Sequence, residues 1–483
     1  MKYRPRTKPF KHQAKATLRA ARARNHAVFM EPRLGKTKAA LDWVGILALR
    51  GEVRRVVVFA PRIALDVWED QIHEHYPYSY HAETYEEEWE DTSRGGPSVS
   101  YFLAGREETF RAERVGRKLV RRKQEVVEAW RPDAIIVDES HEYKRPGGRG
   151  AQDAWRMVQR LRLHRQKAGK RGPFVLLLSG TPNPKGWRDL FAQFRIMDPA
   201  LLGTSAAAFD EKYCVYGQGP RKYVIIRYRN LARLKRILRE HSTVCTAAEA
   251  GLEGKLLFQT LRVDLPEKVR VKYVEMVEEF VTEVGGELVT AKNQGVKRLR
   301  LLQITGGRTT SGGRIHDEKV KKLTAWLEHL HGQEQNVLVY ARHTAEVDAC
   351  YAAAQAVGFV CGILDGRTKG KSRSDLLRRF ARESRRPRCL CIQVQAGAVS
   401  IDLSWAAELV FYSLPDGWVS FWQSLNRVRG PNQKKPVRIT AILARNTVDI
   451  SALAALRNKE DMHRALMRSP SRFLLGEYHS EAP

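Results

Sequence analysis

Short apolar runs, many of them β-branched, alternate along this chain with longer stretches of helical pattern. A first series comprises AVFM (27–30), VVVFAP (56–61), SVSYFLA (98–104), AIIVDE (134–139) and FVLLLSG (174–180). A second comprises NVLVYAR (336–342), FVCGILDG (359–366), CLCIQVQAG (389–397), AELVFYS (407–413) and VRITAIL (437–443). Each run has the length of a strand and ends in a turn signal. Hydrophobicity within the runs is continuous rather than alternating. That pattern predicts strands buried on both faces, hence parallel sheets flanked by helices. The fold class expected is α/β, with two parallel-sheet lobes in tandem.

Between the two series the pattern changes. Residues 230–240 and 266–290 read as charged helices, and GGRTTSGGR (306–314) reads as a loop. The expected division is a first lobe at 1–200, a helical insertion and hinge at 201–315, a second lobe at 316–450 and a helical tail at 451–483. The acidic stretch 83–91 and the basic stretch 111–123 are expected as solvated helix or loop faces, the basic one also as a phosphate contact.

With 483 residues and 43% hydrophobic content the chain can bury more than one core. No apolar run approaches the roughly 20 residues that span a bilayer. The basic N-terminal stretch has no apolar segment of the secretory kind. Six cysteines without CxxC spacing suggest a reduced, cytoplasmic protein without structural zinc. The net charge of +30 changes the picture most. Solubility needs roughly 2–8 units, whereas a field this large attracts polyanions, so nucleic acid is the expected partner.

Candidate chemistry begins at EPRLGKTK (31–38), which follows a buried strand and opens a helix. Backbone N–H groups at such a helix start cradle phosphates; Lys36 would reach the β- and γ-phosphates, and the Thr37 hydroxyl would hold Mg²⁺. The usual first glycine of this loop is replaced by Met30. The strand at 134–137 ends in Asp138 and Glu139, at the sheet edge where ligands bind. Asp138 is expected to hold Mg²⁺ and Glu139 to orient or deprotonate the attacking water. In QSLNRVRG (423–430), Arg427 and Arg429 are joint candidates for the arginine that stabilises charge on a transferring phosphoryl group. If ATP lay between the two sheets, they would complete the site only on closure.

These segments, in this order, resemble the superfamily 2 helicases, most closely the Swi/Snf-type DNA translocases. FKHQ (10–13) is similar to the family's adenine-recognising segment, and EPRLGKT to its variant phosphate loop. VVVFAPRIALDVWEDQI (56–72), IIVDESHEYK (135–144) and LLLSGTPNPKGWRDLFAQFRIMDP (176–199) resemble the next motifs, and RLRLLQITGG (298–307) a helix preceding the second lobe. VLVYARHTAEV (337–347), ILDGRTKGKSRSDLLRRF (363–380), IQVQAGAVSIDLSWA (392–406) and residues 411–433 resemble those of the second lobe. Two departures stand out. Arg33 replaces a glycine usual in the family, and the paired arginines are two apart rather than three.

The resemblance implies two RecA-like lobes, ATP and Mg²⁺ as cofactors, and DNA as the track. It implies nucleotide contacts from Gln13, Glu31, Pro32, Arg33, Leu34, Gly35, Lys36, Thr37 and Lys38, and from Gly397, Asp402 and Gln423 of the second lobe. Ser179 and Thr181 would couple the nucleotide to the first lobe. DNA contacts would come from Pro61, Arg62, Lys185, Arg342, His343, Arg367 and Thr368. Trp418 either stacks on a base or packs the lobe. The function expected is an ATP-driven double-stranded DNA translocase or helicase, with branch migration or fork remodelling among its forms. An RNA helicase, a nucleic-acid-binding scaffold with weak ATPase, and a motor subunit for a separate nuclease are the alternatives.

Overall fold

A computed structural model of the chain describes residues 3–456, apart from 112, 116–117, 121, 181, 183–185, 219–224, 252–255, 280, 285–286, 291–293, 310–311, 369, 383, 397–401, 416, 430–432, 434 and 454–455; side chains at 63, 113–120, 278–299 and 371 are likewise outside the description. Two compact units part at Gly251 and Leu252.

The first unit is built on strands β1 (Asn25–Met30), β2 (Arg55–Ala60), β3 (Tyr80–Glu83), β4 (Glu88–Asp91), β5 (Val99–Gly105), β6 (Ala134–Val137), β7 (Phe174–Ser179) and β8 (Ser242–Cys245). They form one sheet in the order β8-β1-β7-β6-β2-β5-β3-β4. Every neighbouring pair is parallel except β3 with β4. The central strands are apolar throughout because helices cover both faces: β6 is buried along its whole length and β7 at all but its first residue. Helices that matter for the site are α1 (Lys11–Arg22), α2 (Lys36–Leu49), α3 (Leu65–His75), α4 (Arg149–Lys167), α5 (Asp189–Met197) and α6 (Leu231–His241). Helix α5 is buried along its whole length, consistent with its apolar run LFAQF.

The second unit is a fully parallel sheet of β9 (Leu256–Val263), β10 (Val337–Ala341), β11 (Val360–Leu364), β12 (Arg388–Gln393), β13 (Glu408–Phe411) and β14 (Val437–Ala444), in the order β9-β14-β13-β10-β12-β11. It is flanked by α7 (Glu318–Gly332), α8 (Thr344–Val357), α9 (Gly370–Ala381) and α10 (Trp418–Arg427). The two parallel-sheet lobes expected from the apolar runs are both present.

The stretch expected as an insertion and hinge at 201–315 is divided between the units. Strand β8 extends the first sheet and β9 the second. The helix expected over 266–290 runs only from Glu267 to Glu279 and is followed by an antiparallel ribbon, Val281–Val284 with Glu287–Thr290. Its alternating, β-branched residues (VTEV, ELVT) suit a ribbon better than a helix. The acidic stretch at 83–91 is not helical either: it carries the end of β3 and all of β4, an edge strand whose charges face water. The basic stretch forms a second short ribbon, Glu113–Val115 with Lys118–Val120, ahead of a helix beginning at Arg122. The tail is helical at Val448–Leu453 and otherwise lies outside the described residues beyond 456.

One buried ion pair ties the second unit together. Lys319 on α7 is 1% exposed, and its ammonium lies 2.7 Å from the Asp449 carboxylate just past β14. Asp449 also accepts from the Thr305 hydroxyl (2.9 Å) and the Ala444 N–H (2.9 Å), while Lys319 donates to the Tyr412 carbonyl (3.3 Å). Removing one buried charge strands the other, at about 3–5 kcal/mol. Lys319→Ala should therefore lower stability by about that amount in urea unfolding. The Lys319→Met, Asp449→Asn double substitution should recover at least half of the loss. A double variant no more stable than the single one would contradict this account.

Candidate nucleotide site

Parallel strands all end on one side of a sheet, so the loops following adjacent strands lie together there. Strands β1, β7 and β6 are neighbours in that order. The loop 31–36 and Asp138-Glu139 directly follow β1 and β6, and Ser179 ends β7 ahead of Gly180.

The phosphate loop is held from several sides. Gly35 caps α2 at φ 76°, a left-handed conformation that glycine adopts without strain. A side chain there would also collide with the Gln13 amide, since a Cβ would come within 2.1 Å of Gln13 Nε2. Arg33 has φ 70°. The residue replacing the family's glycine therefore keeps a glycine-like backbone, at a cost of about 1–2 kcal/mol. Gln13, buried on α1, braces the loop by accepting from Phe10 N–H (2.9 Å) and donating to the Leu34 carbonyl (3.1 Å). His12 Nε2 lies 2.9 Å from the same carbonyl. Glu31 is buried and accepts from Ala247 N–H (2.9 Å), and Pro32 packs against Gly180, where a Cβ would meet its Cδ at 2.9 Å.

Lys36 folds back over the loop, donating to the Met30 carbonyl at 3.2 Å. Thr37 is partly exposed in the first turn of α2. Lys38 departs from expectation. It is buried against Asp42, which also accepts from the Tyr3 hydroxyl (2.6 Å), so its charge serves that cluster rather than the phosphate loop.

Asp138 is buried, and each of its oxygens accepts from a separate donor: Oδ1 from Glu139 N–H (2.9 Å) and Oδ2 from the Trp68 indole N–H (3.0 Å). Burial and the adjacent Glu139 carboxylate push its pKa up to about 6, against the Trp68 hydrogen bond and the Lys36 charge. Glu139 has φ 49°, a strained conformation for this residue type, of the kind that clusters at functional sites. Its carboxylate lies 3.2 Å from His141 Nδ1, which is also 3.2 Å from the Ser179 hydroxyl. Burial disfavours a charged His141, but hydrogen bonds to Glu139 and Glu142 outweigh it and raise the pKa. In return, the His141 contact brings Glu142 down to about 2. Ser140 donates to Gln193 Oε1 on α5 (2.8 Å), and Gln193 Nε2 donates to the carbonyls of Pro182 and Asp189.

Lys36, Asp138, Glu139 and Ser179 are thus assembled within one unit. His141, Trp68 and Gln193 are additions that the sequence did not single out. The His141 position, three residues after Asp138, was a usable signal; Trp68 and Gln193 had none. Among the described residues no group of three or more His, Cys, Asp and Glu is disposed to bind a metal. A magnesium site of the phosphate-bound kind does not need one, because phosphate and water oxygens fill most positions. The buried Asp138 carboxylate beside Glu139, with Thr37 at the helix start, fits such an ion.

In the second unit, Arg427 ends α10 and is 5% exposed; Arg429 is 6% exposed, donates to Asn426 Oδ1 at 3.4 Å and lies over the Trp422 ring. Gln423 is buried, and Asp402 is exposed, accepting from Ser404 N–H. Thr181, Lys185 and Gly397 lie outside the described residues.

Of the expected DNA contacts, Arg62 is exposed but its guanidinium lies 2.7 Å from Glu108. Arg367 is exposed and paired with Asp348 and Asp365. Thr368 is half-buried and donates to the Ile363 carbonyl; Pro61 is buried at the turn before α3; His343 is the N-cap of α8. Arg342 is 3% exposed with its guanidinium on the Leu414 carbonyl, so in this conformation it cannot reach a phosphate. Trp418 is buried and stacked on Trp422, which favours packing over base stacking.

A family model described as Type III restriction enzyme, res subunit, matches residues 6–184, and one described as Helicase conserved C-terminal domain matches residues 318–430. The chain is 24% identical over 343 residues to the SWI/SNF-related matrix-associated actin-dependent regulator of chromatin subfamily A-like protein 1 of Drosophila melanogaster, covering 68% of this chain and 40% of that protein. It is 24% identical over 315 residues to an uncharacterized ATP-dependent helicase of Mycoplasma pneumoniae, covering 61% of this chain and 28% of that protein. The chain therefore spans less than half the length of these relatives. A solved structure described as the Sulfolobus solfataricus SWI2/SNF2 ATPase core in complex with dsDNA aligns over 99% of this chain and 97% of that one, at 16% identity and a TM-score of 0.42, a likeness too low to bear on fold or function. With one matched segment in each parallel-sheet unit, the chain carries a superfamily 2 helicase/ATPase domain related to the Swi2/Snf2-type DNA translocases.

Proposed function

We propose that this chain is an ATP-driven motor that moves along double-stranded DNA. The observation that carries the reading is the grouping of the phosphate loop, Asp138-Glu139 and Ser179 at the ends of three adjacent strands. In this reading Lys36 and the N–H groups at the start of α2 hold the ATP phosphates. Thr37 and Asp138 hold Mg²⁺, which when bound neutralises charge on the phosphate oxygens. Glu139 orients a water and takes its proton as the water oxygen attacks the γ-phosphorus and the bond to the bridging oxygen breaks, leaving ADP and phosphate. Arg427 and Arg429 are the proposed stabilisers of the transferring group. His141, touching both Glu139 and Ser179, links the hydrolytic carboxylate to the strand that leads into Gly180 and Pro182.

The DNA part rests on the charge of +30, on the matched superfamily 2 segments and on the exposed Arg62 and Arg367. Both arginines are already paired with carboxylates, so a phosphate must displace those partners. The Arg367–Asp348 pair is exposed on both sides and worth about 0–1 kcal/mol, too little to prevent exchange.

Lys36→Ala should abolish ATP binding and turnover. Glu139→Gln should lower turnover by about 10²–10⁴-fold while leaving nucleotide binding intact. Phosphate release and equilibrium binding of a fluorescent ATP analogue measure the two effects, and turnover near wild type in either variant would remove the site assignment. ATPase activity should rise on addition of duplex DNA, with forked and four-way DNA separating the remodelling forms of the motor. Stimulation by RNA alone would overturn the choice of track. DNA affinity should fall steeply with salt because phosphate contacts release counterions, and a flat response would contradict that mode of binding.

A further inference from the structure

We propose that Trp68 is a positioning residue for the nucleotide site: its indole N–H fixes the Asp138 carboxylate and ties it to the turn that opens α3. The inference rests on the reading of Asp138 given above. Trp68 is 1% exposed and lies one helical turn into α3, which follows the short turn Arg62–Ala64 at the end of β2. Its N–H donates to Asp138 Oδ2 at 3.0 Å, while Glu139 N–H donates to Oδ1 at 2.9 Å. With a separate donor on each oxygen, rotating the carboxylate breaks one bond or the other. The plane of Asp138 is thereby set before any ion or nucleotide arrives, which is what a coordinating group requires.

The contact is directed, not incidental to packing. The N–H of Trp43, equally buried in the same unit, meets no hydrogen-bond acceptor among the described residues. A phenylalanine would supply most of the apolar contact of Trp68 but not this bond. Asp138 is also held to β2 through its main chain, its N–H donating to the Phe59 carbonyl at 2.8 Å. The segment from Phe59 to Trp68 therefore grips Asp138 at both ends, and Pro61 and Arg62 lie within it. A shift of this turn when Arg62 exchanges Glu108 for a phosphate would be felt at the Asp138 carboxylate. Trp68 is in this way a physical link from the proposed track to the proposed ion site.

The test compares the full chain with Trp68→Phe, and with an analogue placed at 68 by codon suppression in which sulfur replaces the indole N–H at unchanged shape. Binding of a fluorescent ATP analogue is titrated with Mg²⁺, and ATPase is measured with and without duplex DNA. The half-saturating Mg²⁺ concentration should rise about tenfold, the loss expected for one hydrogen bond to a charged group. Nucleotide affinity without Mg²⁺ should stay at the wild-type value, and the stimulation by DNA should fall. Adding Trp68→Phe to Asp138→Asn should cause no further change. A Mg²⁺ dependence within twofold of wild type in a folded Trp68 variant would overturn the inference, as would equal losses with and without Mg²⁺. If Trp68→Phe fails to fold, the isosteric analogue decides. Should Asp138→Asn itself leave Mg²⁺ dependence unchanged, the assignment of the ion site falls first, and this failure is distinguishable from that of Trp68 alone.

Discussion

Parallel pairing of β6 with β7, and of β7 with β1, is the constraint on which the rest depends. Three segments far apart in the chain, 25–30, 134–137 and 174–179, are fixed side by side by main-chain hydrogen bonds. Their C-terminal ends then face one another without any side chain having to arrange it. The strands are buried on both faces and apolar, so register errors would expose the interior, and the ladder is held firmly. Onto this rigid edge the chain places residues with unfavourable local conformations. Arg33 and Glu139 both have positive φ, and Asp138 is a buried carboxylate beside a second one. Such strain persists where the surrounding structure over-determines it.

The same edge explains how the neighbouring groups are connected. Gln13 reaches the phosphate loop from α1, Trp68 reaches Asp138 from α3, and Gln193 reaches Ser140 from α5. Each contact joins a helix packed on the sheet to a loop at its edge. A ligand that moves one of these loops must work against a helix, and the displacement is passed into the body of the unit. Chemistry at a single phosphate can be converted into movement of whole elements in this way.

Much of this was legible in the sequence, for a definite reason. Strands buried on both faces leave continuous apolar runs, so the ten runs read from the sequence all reappear as strands. Asp138 and Glu139 were legible because they stand at the end of such a run, and Lys36 because it opens the helix that follows one. Strand β8 escaped because STVC is short and half polar, and β9 because LLFQTLRV is an edge strand with several exposed positions. The ribbon at 281–290 reads as helix in the sequence because its charges continue the pattern of the helix before it. Trp68 and Gln193 could not be read at all, since their partners are fixed only by which strands are neighbours. Arg33 was legible as a departure, but only the backbone showed that the arginine takes up a positive φ there.

The central claim is movement along an intact duplex, and displacement of a third DNA strand tests it most directly. A triplex-forming strand bound within a duplex leaves the two duplex strands paired, so only passage along the helix dislodges it. The account predicts displacement that requires ATP, grows slower as the duplex path lengthens and disappears in the Glu139→Gln protein. ATP hydrolysis stimulated by duplex DNA with no displacement of the third strand would contradict it.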